Sequence, residues 1–171
     1  MCISLVVKLT RSRDDHYRNH QLIAHHALIM EECIFCKIVK GEVPSSKIYE
    51  DDLVIAFMDI KPVNPGHALV VSKEHQKYIS DLDDKSTARL ISVAGKINKA
   101  LRKSEIRCED VNYFLADGEV AGQEVAHAHL HIIPRFKNDG FGLKFPAEYG
   151  KMLSGEELNK SASNIIKYLD E

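Results

Sequence analysis

The strongest constraint on this chain is a row of alternating histidines, His127, His129 and His131, followed closely by Pro134. Successive side chains of a β-strand point to opposite faces, so the three imidazoles would share one face, about 6.6–6.8 Å apart. Imidazole is mostly neutral but easily protonated at pH 7, so such a row can attack, hydrogen-bond and transfer protons in one pocket. The pattern therefore predicts a chemically active strand over residues 125–133, ended by Pro134.

Two simpler interpretations of the row stay open at this point. One is a polar strand face that happens to carry histidines. The other is a metal site built on a single strand, but the spacing along a strand holds three such ligands too far apart for one ion to bind them all.

Composition narrows the class of protein. The chain has 171 residues, which is typical of one domain, with 44% hydrophobic and 28% charged residues. The formal net charge of −2 excludes a strongly basic nucleic-acid binder and an acidic disordered chain as first hypotheses. Apolar stretches are far shorter than the roughly 20 residues of a membrane helix, so we expect no membrane or nucleic-acid partner.

The patterning predicts an α+β domain over residues 30–171, preceded by a flexible, polar, His-rich extension over residues 1–29. Strands are predicted at Lys47–Glu50, Leu53–Met58, Ala68–Ser72 and Val111–Leu115, in addition to the histidine strand. A short helix or turn is predicted at Ile34–Val39 and a long helix at Asp84–Arg102, and a capping box at Ser154–Glu157 opens a C-terminal helix.

The chain has four cysteines, Cys2, Cys33, Cys36 and Cys108, too few for a disulfide framework. The N-terminus lacks the pattern of a secretory signal, so we expect a reducing, cytoplasmic location. In that setting the Cys33-x-x-Cys36 pair is compatible with zinc binding, with redox chemistry, or with neither.

Several segments together resemble the histidine triad (HIT) family. The histidine row matches the family signature, and its context agrees over a stretch from about Glu32 to Phe145. The matching segments are Cys33–Ile38, Ala56–Ile60, Pro65–Val71 and Gly122–Val125. The pattern is similar to the Hint-like branch, and more narrowly to bacterial-type members with a zinc-binding Cys-x-x-Cys.

The resemblance implies a HIT-like fold, with about five mostly antiparallel strands, a long packed helix and a C-terminal helix. It also implies an enzyme that acts on purine nucleoside phosphoramidates at the α-phosphorus and releases the nucleoside monophosphate. His129 would be the nucleophile and form a covalent nucleotidyl–histidine. His131 would hold a phosphoryl oxygen, and His67 would complete the cluster beside His127 and His129.

The resemblance further assigns substrate contacts. Asp59 would accept from the ribose hydroxyls, and Ile60 and Phe57 would lie near the base. Gln123 and the backbone around Glu124 would meet the phosphate. Two positions depart from the pattern: Glu124 stands where many Hint-like members have Ser, and Ala116 where they have Asn. Both departures concern the leaving-group side of the site.

The resemblance also resolves the cysteine pair in favour of one structural zinc per chain, held by Cys33, Cys36, His75 and His127, and it implies a homodimer. Two other functions remain as alternatives. One is a Fhit-like dinucleoside polyphosphate hydrolase, and the other is a nucleotide-binding regulatory or scaffold protein with little turnover. An ordinary P-loop NTPase is not supported, because the chain has no P-loop motif.

Overall fold

The computed structural model describes residues 33–169. The predicted extension over residues 1–29 lies outside the described residues. The helices are α1 (Ile34–Val39), α2 (Asp84–Leu101) and α3 (Gly155–Ile166). The strands are β1 (Lys47–Glu50), β2 (Val54–Met58), β3 (Ala68–Ser72), β4 (Asp110–Phe114) and β5 (His129–Arg135). The predicted α+β class and the predicted helices and strands are thus confirmed, apart from the ends of some elements.

The five strands form one sheet in the order β1-β2-β3-β5-β4. Every neighbouring pair is antiparallel. Strand β5 pairs on one side with β3, where Val71 lies opposite His129 and Leu69 lies opposite His131. On its other side β5 pairs with the edge strand β4. This register places the histidine strand next to the most buried strand of the sheet.

The two faces of the sheet have different roles. One face packs against the amphipathic helix α2, whose buried residues include Leu90, Ala94 and Ile97. Helix α2 begins where the Asp83 carboxylate caps it by accepting from the Ser86 N–H group. The opposite face carries a second apolar cluster, to which α1 contributes. Because side chains alternate along β5, His129 and His131 project from this second face.

The predicted limits of the histidine strand, residues 125–133, are wrong at both ends, because β5 spans His129–Arg135. At the start, the His127 N–H bonds the Val125 carbonyl at 2.8 Å, and the Ala128 N–H bonds the Gln76 carbonyl at 2.6 Å. The Ser72 N–H still bonds the Ala128 carbonyl at 3.3 Å, so contact with the β3 side continues up to Ala128 although β5 begins at His129. His127 therefore precedes β5 and is not a residue of that strand.

Pro134 lies within β5 and does not end it. The N–H and C=O groups of one strand residue point to the same side, and the Pro134 carbonyl accepts from Asn64 Nδ2 at 2.8 Å. On that side β5 extends beyond β3, because Ala68, the first residue of β3, pairs with Ile132. The N–H group that proline lacks therefore removes no hydrogen bond from the sheet.

The described residues divide into two compact units, the first ending at Asp139 and the second beginning at Gly140. The second unit contains α3, and the predicted capping box is present at its start. The Ser154 side chain accepts from the Glu157 N–H group, and the Glu157 side chain accepts from the Ser154 N–H group. A single domain over residues 30–171 stays a prediction. Within residues 33–169, no helix combines the length and apolar character that crossing a membrane requires.

Candidate active site and metal centre

The position of His129 is defined by one hydrogen bond and by burial. Its Nδ1 atom lies 2.6 Å from the backbone carbonyl of His127. A carbonyl can only accept, so Nδ1 carries the ring proton, and the lone pair of the neutral ring is on Nε2. Burial lowers the pKa of His129 below its usual range, an effect that the bond to the His127 carbonyl and the charge of Asp59 oppose. The ring is thus a neutral imidazole with an unprotonated Nε2.

His67 and His131 form a hydrogen-bonded pair beside His129. The backbone N–H of Val63 donates to His67 Nδ1 at 3.2 Å, so the proton of neutral His67 is on Nε2. His67 Nε2 lies 3.0 Å from His131 Nδ1 and donates to it. His131 therefore carries its own proton on Nε2. Burial, followed by the charges of His129 and His67, lowers the pKa of His131 to about 4.

Asp59 lies directly after β2, at the edge of this histidine cluster. The backbone N–H of Lys61 donates to Asp59 Oδ1 at 2.8 Å. The other carboxylate oxygen, Oδ2, lies 3.6 Å from His67 Nδ1 and 3.8 Å from His131 Nδ1. The structure thus brings Asp59 together with two of the predicted catalytic histidines.

The other predicted substrate contacts lie in different surroundings. Phe57 is buried in the second apolar cluster, whereas the Ile60 side chain is 93% exposed. Gln123 is buried, where its Nε2 donates to the Lys77 carbonyl at 2.8 Å and its Oε1 accepts from the Gly118 N–H at 2.9 Å. Both ends of the Gln123 amide thus hold the loop that leads to the histidines. The Glu124 side chain is exposed.

The four predicted metal ligands converge at a second site. Their ligand atoms, one each from Cys33, Cys36, His75 and His127, all lie within 4.8 Å of one another. Cys36 Sγ lies 3.2 Å from His75 Nδ1 and 3.6 Å from His127 Nδ1, and Cys33 Sγ lies 3.5 Å from His127 Nδ1. The two Nδ1 atoms are 3.3 Å apart.

These distances fit a tetrahedral zinc ion. Zn–S bonds of about 2.3 Å and Zn–N bonds of about 2.0–2.1 Å at tetrahedral angles place ligand nitrogens about 3.3 Å apart and sulfur about 3.6 Å from nitrogen. The His127 Nε2 atom donates to the Ser72 carbonyl at 2.8 Å, which leaves the Nδ1 lone pair facing the two sulfur atoms. The donor set of two thiols and two imidazoles is also the one that zinc prefers in closed structural sites.

Electrostatics agree with a cation at this site. Burial, followed by the neighbouring Cys33, raises the pKa of the Cys36 thiol to about 12. The Cys36 thiol is thus poorly ionised in this setting unless a cation lies beside it. A bound metal ion would supply that charge and hold both sulfur atoms as thiolates.

Sequence reasoning missed Phe35, which lies between the two cysteines on α1. Its ring packs edge-on against His129 and His127, with centroid separations of 5.1 Å and 5.9 Å. Phe35 also packs against Phe57. Phe35 lies in the segment Cys33–Ile38 that resembles the family, but an apolar residue in a short helix is ordinarily a core residue, so no role was assigned to it.

Comparison with known proteins identifies the family. The model of the HIT domain family matches residues 40–138 of this chain. An uncharacterized HIT-like protein of Borreliella burgdorferi is 52% identical over 116 residues, covering 67% of this chain and 84% of that protein. The adenosine 5'-monophosphoramidase of Schizosaccharomyces pombe is 43% identical over 111 residues, covering 65% of this chain and 79% of that enzyme.

Solved structures agree. A member of the HIT family from Bacillus subtilis has a TM-score of 0.74 at 40% identity and covers 81% of this chain and 97% of its own. A zinc-bound histidine triad family protein from Mycobacterium smegmatis has a TM-score of 0.63 at 31% identity and covers 82% of this chain and 97% of its own. The chain belongs to the HIT family, and the predicted HIT-like fold is confirmed.

Proposed function

We propose that this protein is a nucleoside phosphoramidase that cleaves purine nucleoside phosphoramidates at the α-phosphorus and releases the nucleoside monophosphate. The observation that carries this proposal is the state of His129, a buried and neutral imidazole whose proton is held by the His127 carbonyl at 2.6 Å. Such a ring presents the Nε2 lone pair as a nucleophile without first losing a proton. The family relative named as an adenosine 5'-monophosphoramidase supports the same reaction class.

The proposed reaction has two steps. First, the His129 Nε2 lone pair forms a bond to the α-phosphorus while the P–N bond of the substrate breaks, and the leaving amine takes up a proton from solvent. Second, water forms a new P–O bond while the bond from His129 to phosphorus breaks, and the water releases a proton to solvent, which balances the one taken up in the first step. The products are the amine, the nucleoside monophosphate and free imidazole, so one difficult displacement becomes two easier ones.

The neighbouring histidines support both steps. The hydrogen bond from His67 places the His131 proton on Nε2, from which it can be donated to a phosphoryl oxygen. Burial keeps His131 neutral at pH 7, so it contributes a hydrogen-bond donor and not a full charge. Donors aimed at developing negative charge in a buried site are among the strongest contributors to catalysis.

The remaining contacts are proposed on the family pattern. Asp59 would accept from the ribose hydroxyls, which requires its carboxylate to turn from the histidines toward the sugar. Phe57 and the exposed Ile60 would contact the base. The backbone around Gln123 and Glu124 would meet the phosphate, because both ends of the Gln123 side-chain amide already bond within the protein. Glu124 adds a negative charge near the leaving group, which favours neutral or cationic leaving amines over anionic phosphate.

We further propose one structural zinc ion at Cys33, Cys36, His75 and His127, and a homodimer. A zinc ion with four protein ligands has no open position for substrate, so it would supply stability and not Lewis-acid chemistry. The ligand-atom distances of the site and the zinc-bound family member support this assignment.

The reaction is tested with adenosine 5'-phosphoramidate as substrate and AMP release as the signal. His129→Ala should lower kcat by at least about 10³-fold, while AMP still binds. Ile91→Ala serves as control, because Ile91 is an exposed residue on α2, across the sheet from the histidines. A rapid denaturing quench of the wild type should trap the nucleotidyl group on His129.

Two outcomes would favour other functions. Faster turnover of a diadenosine polyphosphate than of the phosphoramidate would indicate a Fhit-like hydrolase. Tight AMP binding with negligible turnover of either substrate would indicate a nucleotide-binding protein. Wild-type turnover in His129→Ala would reject the proposed mechanism altogether.

A further inference from the structure

We propose that Phe35 is a positioning residue for the nucleophile: its ring covers the hydrogen bond between His129 Nδ1 and the His127 carbonyl and fixes the imidazole in its reactive orientation. The role rests on the proposed function of His129. Phe35 belongs neither to the histidine motif nor to the candidate metal ligands.

Among the described residues, the His129 ring is oriented by one hydrogen bond, which fixes Nδ1 at 2.6 Å from the His127 carbonyl. A ring flip of 180° about the Cβ–Cγ bond would replace Nδ1 by a carbon atom at that carbonyl and would move the Nε2 lone pair. The neighbouring ring on one side is His131, with centroids 4.9 Å apart. His131 is itself polar and accepts a hydrogen bond from His67, so its ring does not provide an apolar contact that excludes water from His129.

Phe35 supplies the apolar support. Its ring meets His129 at an interplanar angle of 77° and a centroid separation of 5.1 Å. It also meets His127, the residue whose carbonyl accepts the proton, at 71° and 5.9 Å. Edge-to-face contacts of this kind are directional, unlike aliphatic packing. Phe35 thus touches both residues of the orienting hydrogen bond, and an apolar ring there keeps out water that would compete for it.

The surroundings of Phe35 explain how a short helix can hold a ring in place. Helix α1 has six residues, and a helix so short is not stable by itself in water. Its position is fixed by the Cys33 and Cys36 thiols, which face His75 and His127, and by packing against Phe57. The Phe35 ring is therefore held in place by a cysteine contact before it and another after it in the sequence. It is only 7% exposed.

A positioning role differs measurably from a core role and from a base contact. Phe35→Leu keeps an apolar side chain but removes the flat ring. We expect kcat for adenosine 5'-phosphoramidate to fall about tenfold with KM changed less than twofold, because ring placement matters in the transition state. The matched control is Ile55→Ala, a truncation in the same apolar cluster. It should lower thermal stability while kcat stays within twofold of the wild type.

A second readout does not depend on turnover. Long-range ¹⁵N–¹H correlation spectra of the imidazoles report which ring nitrogen carries the proton. The wild type should show His129 in one tautomer, with a slowly exchanging Nδ1–H, and Phe35→Leu should show faster exchange and a mixture of tautomers. If Phe35→Leu fails to fold, Phe35→Met carries the same expectation in both measurements.

The outcomes separate the two proposals. A wild type that shows no turnover would reject the phosphoramidase function, while the spectra would still decide the role of Phe35. An increase in KM at constant kcat would make Phe35 a base contact and overturn the inference. Unchanged His129 spectra in the Phe35 variant would overturn it as well.

Discussion

Acid should destabilise the folded protein in part through His131. Burial, followed by the charges of His129 and His67, lowers the pKa of His131 to about 4, while Asp59 opposes that shift. In the unfolded chain the same imidazole has a pKa of about 6.5. Between these values the unfolded chain binds more protons than the folded protein. The free energy of unfolding therefore falls as the pH drops from about 6.5 to about 4, and the loss levels off below that.

The magnitude follows from the two pKa values. Going from pH 7.5 to pH 5, the unfolding equilibrium should shift by about 30-fold through this one group, which is about 2 kcal/mol. The His131 side chain is 20% exposed, so solvent screening removes only a small part of this effect. A loss of this size is a large fraction of the stability of a typical domain.

The assay compares the wild type with His131→Asn, which has no titrating group at that position, by urea unfolding at pH 7.5 and pH 5. Circular dichroism and tyrosine fluorescence are suitable probes, because the chain has 6 tyrosines and no tryptophan. Other buried histidines and any bound metal respond to acid in both proteins, so the difference between the proteins reports His131 together with its coupling to His67 and His129. The wild type should lose about 2 kcal/mol more than the variant. Equal losses would refute the assigned environment of His131.

Three further expectations concern the scaffold. Protein prepared without chelator should contain about one zinc per chain. Cys36→Ser should remove the zinc and lower the melting temperature, whereas Cys108→Ser should retain the zinc. Equal zinc content in the two variants would contradict the assigned site. Gly66→Ala should destabilise the fold by about 1–3 kcal/mol, because Gly66 has a φ of +91° and an added Cβ would lie 2.8 Å from an Ile106 methyl carbon. Gly95 lies in the middle of α2, and no atom lies within 4 Å of an added Cβ, so Gly95→Ala should instead stabilise the fold by about 0.5–1 kcal/mol. If both glycine variants shifted the melting temperature in the same direction, this geometry would be contradicted. Leu90→Ala should cost about 2–5 kcal/mol in urea unfolding, because Leu90 is completely buried under the sheet; a cost below about 1 kcal/mol would show that α2 packs elsewhere.

Local sequence patterns were sufficient to predict most of the helices and strands. The three- and four-residue spacing of Leu90, Ala94 and Ile97 predicts the buried face of α2, and the structure buries these residues. The Ser154–Glu157 capping box is similarly complete within four residues, and the structure contains both of its hydrogen bonds. Such features are encoded by neighbours in the chain, so sequence alone is sufficient to find them.

Features that depend on contacts between residues far apart in the sequence could not be predicted from local patterns. Alternation placed His127 in the same strand as His129, but the Gln76 carbonyl takes the Ala128 N–H, and the strand begins only at His129. The tolerance of β5 for Pro134 likewise depends on where β3 ends. The convergence of Asp59 with His67 and His131 follows from strand order, which the periodicity of single segments does not encode. The metal ligand set came from family resemblance, because spacing left three interpretations of the cysteine pair.

His127 serves the two sites with different parts of the same residue. Its imidazole faces the cysteine sulfurs, whereas its backbone carbonyl receives the proton of His129. A side chain can change by a single mutation, but every residue type has a carbonyl. A descendant of this chain could thus exchange its thiols and imidazoles for apolar packing, one position at a time, and still keep the acceptor that orients the nucleophile. The proposed metal site can in this sense change during evolution, whereas the backbone path through residue 127 cannot.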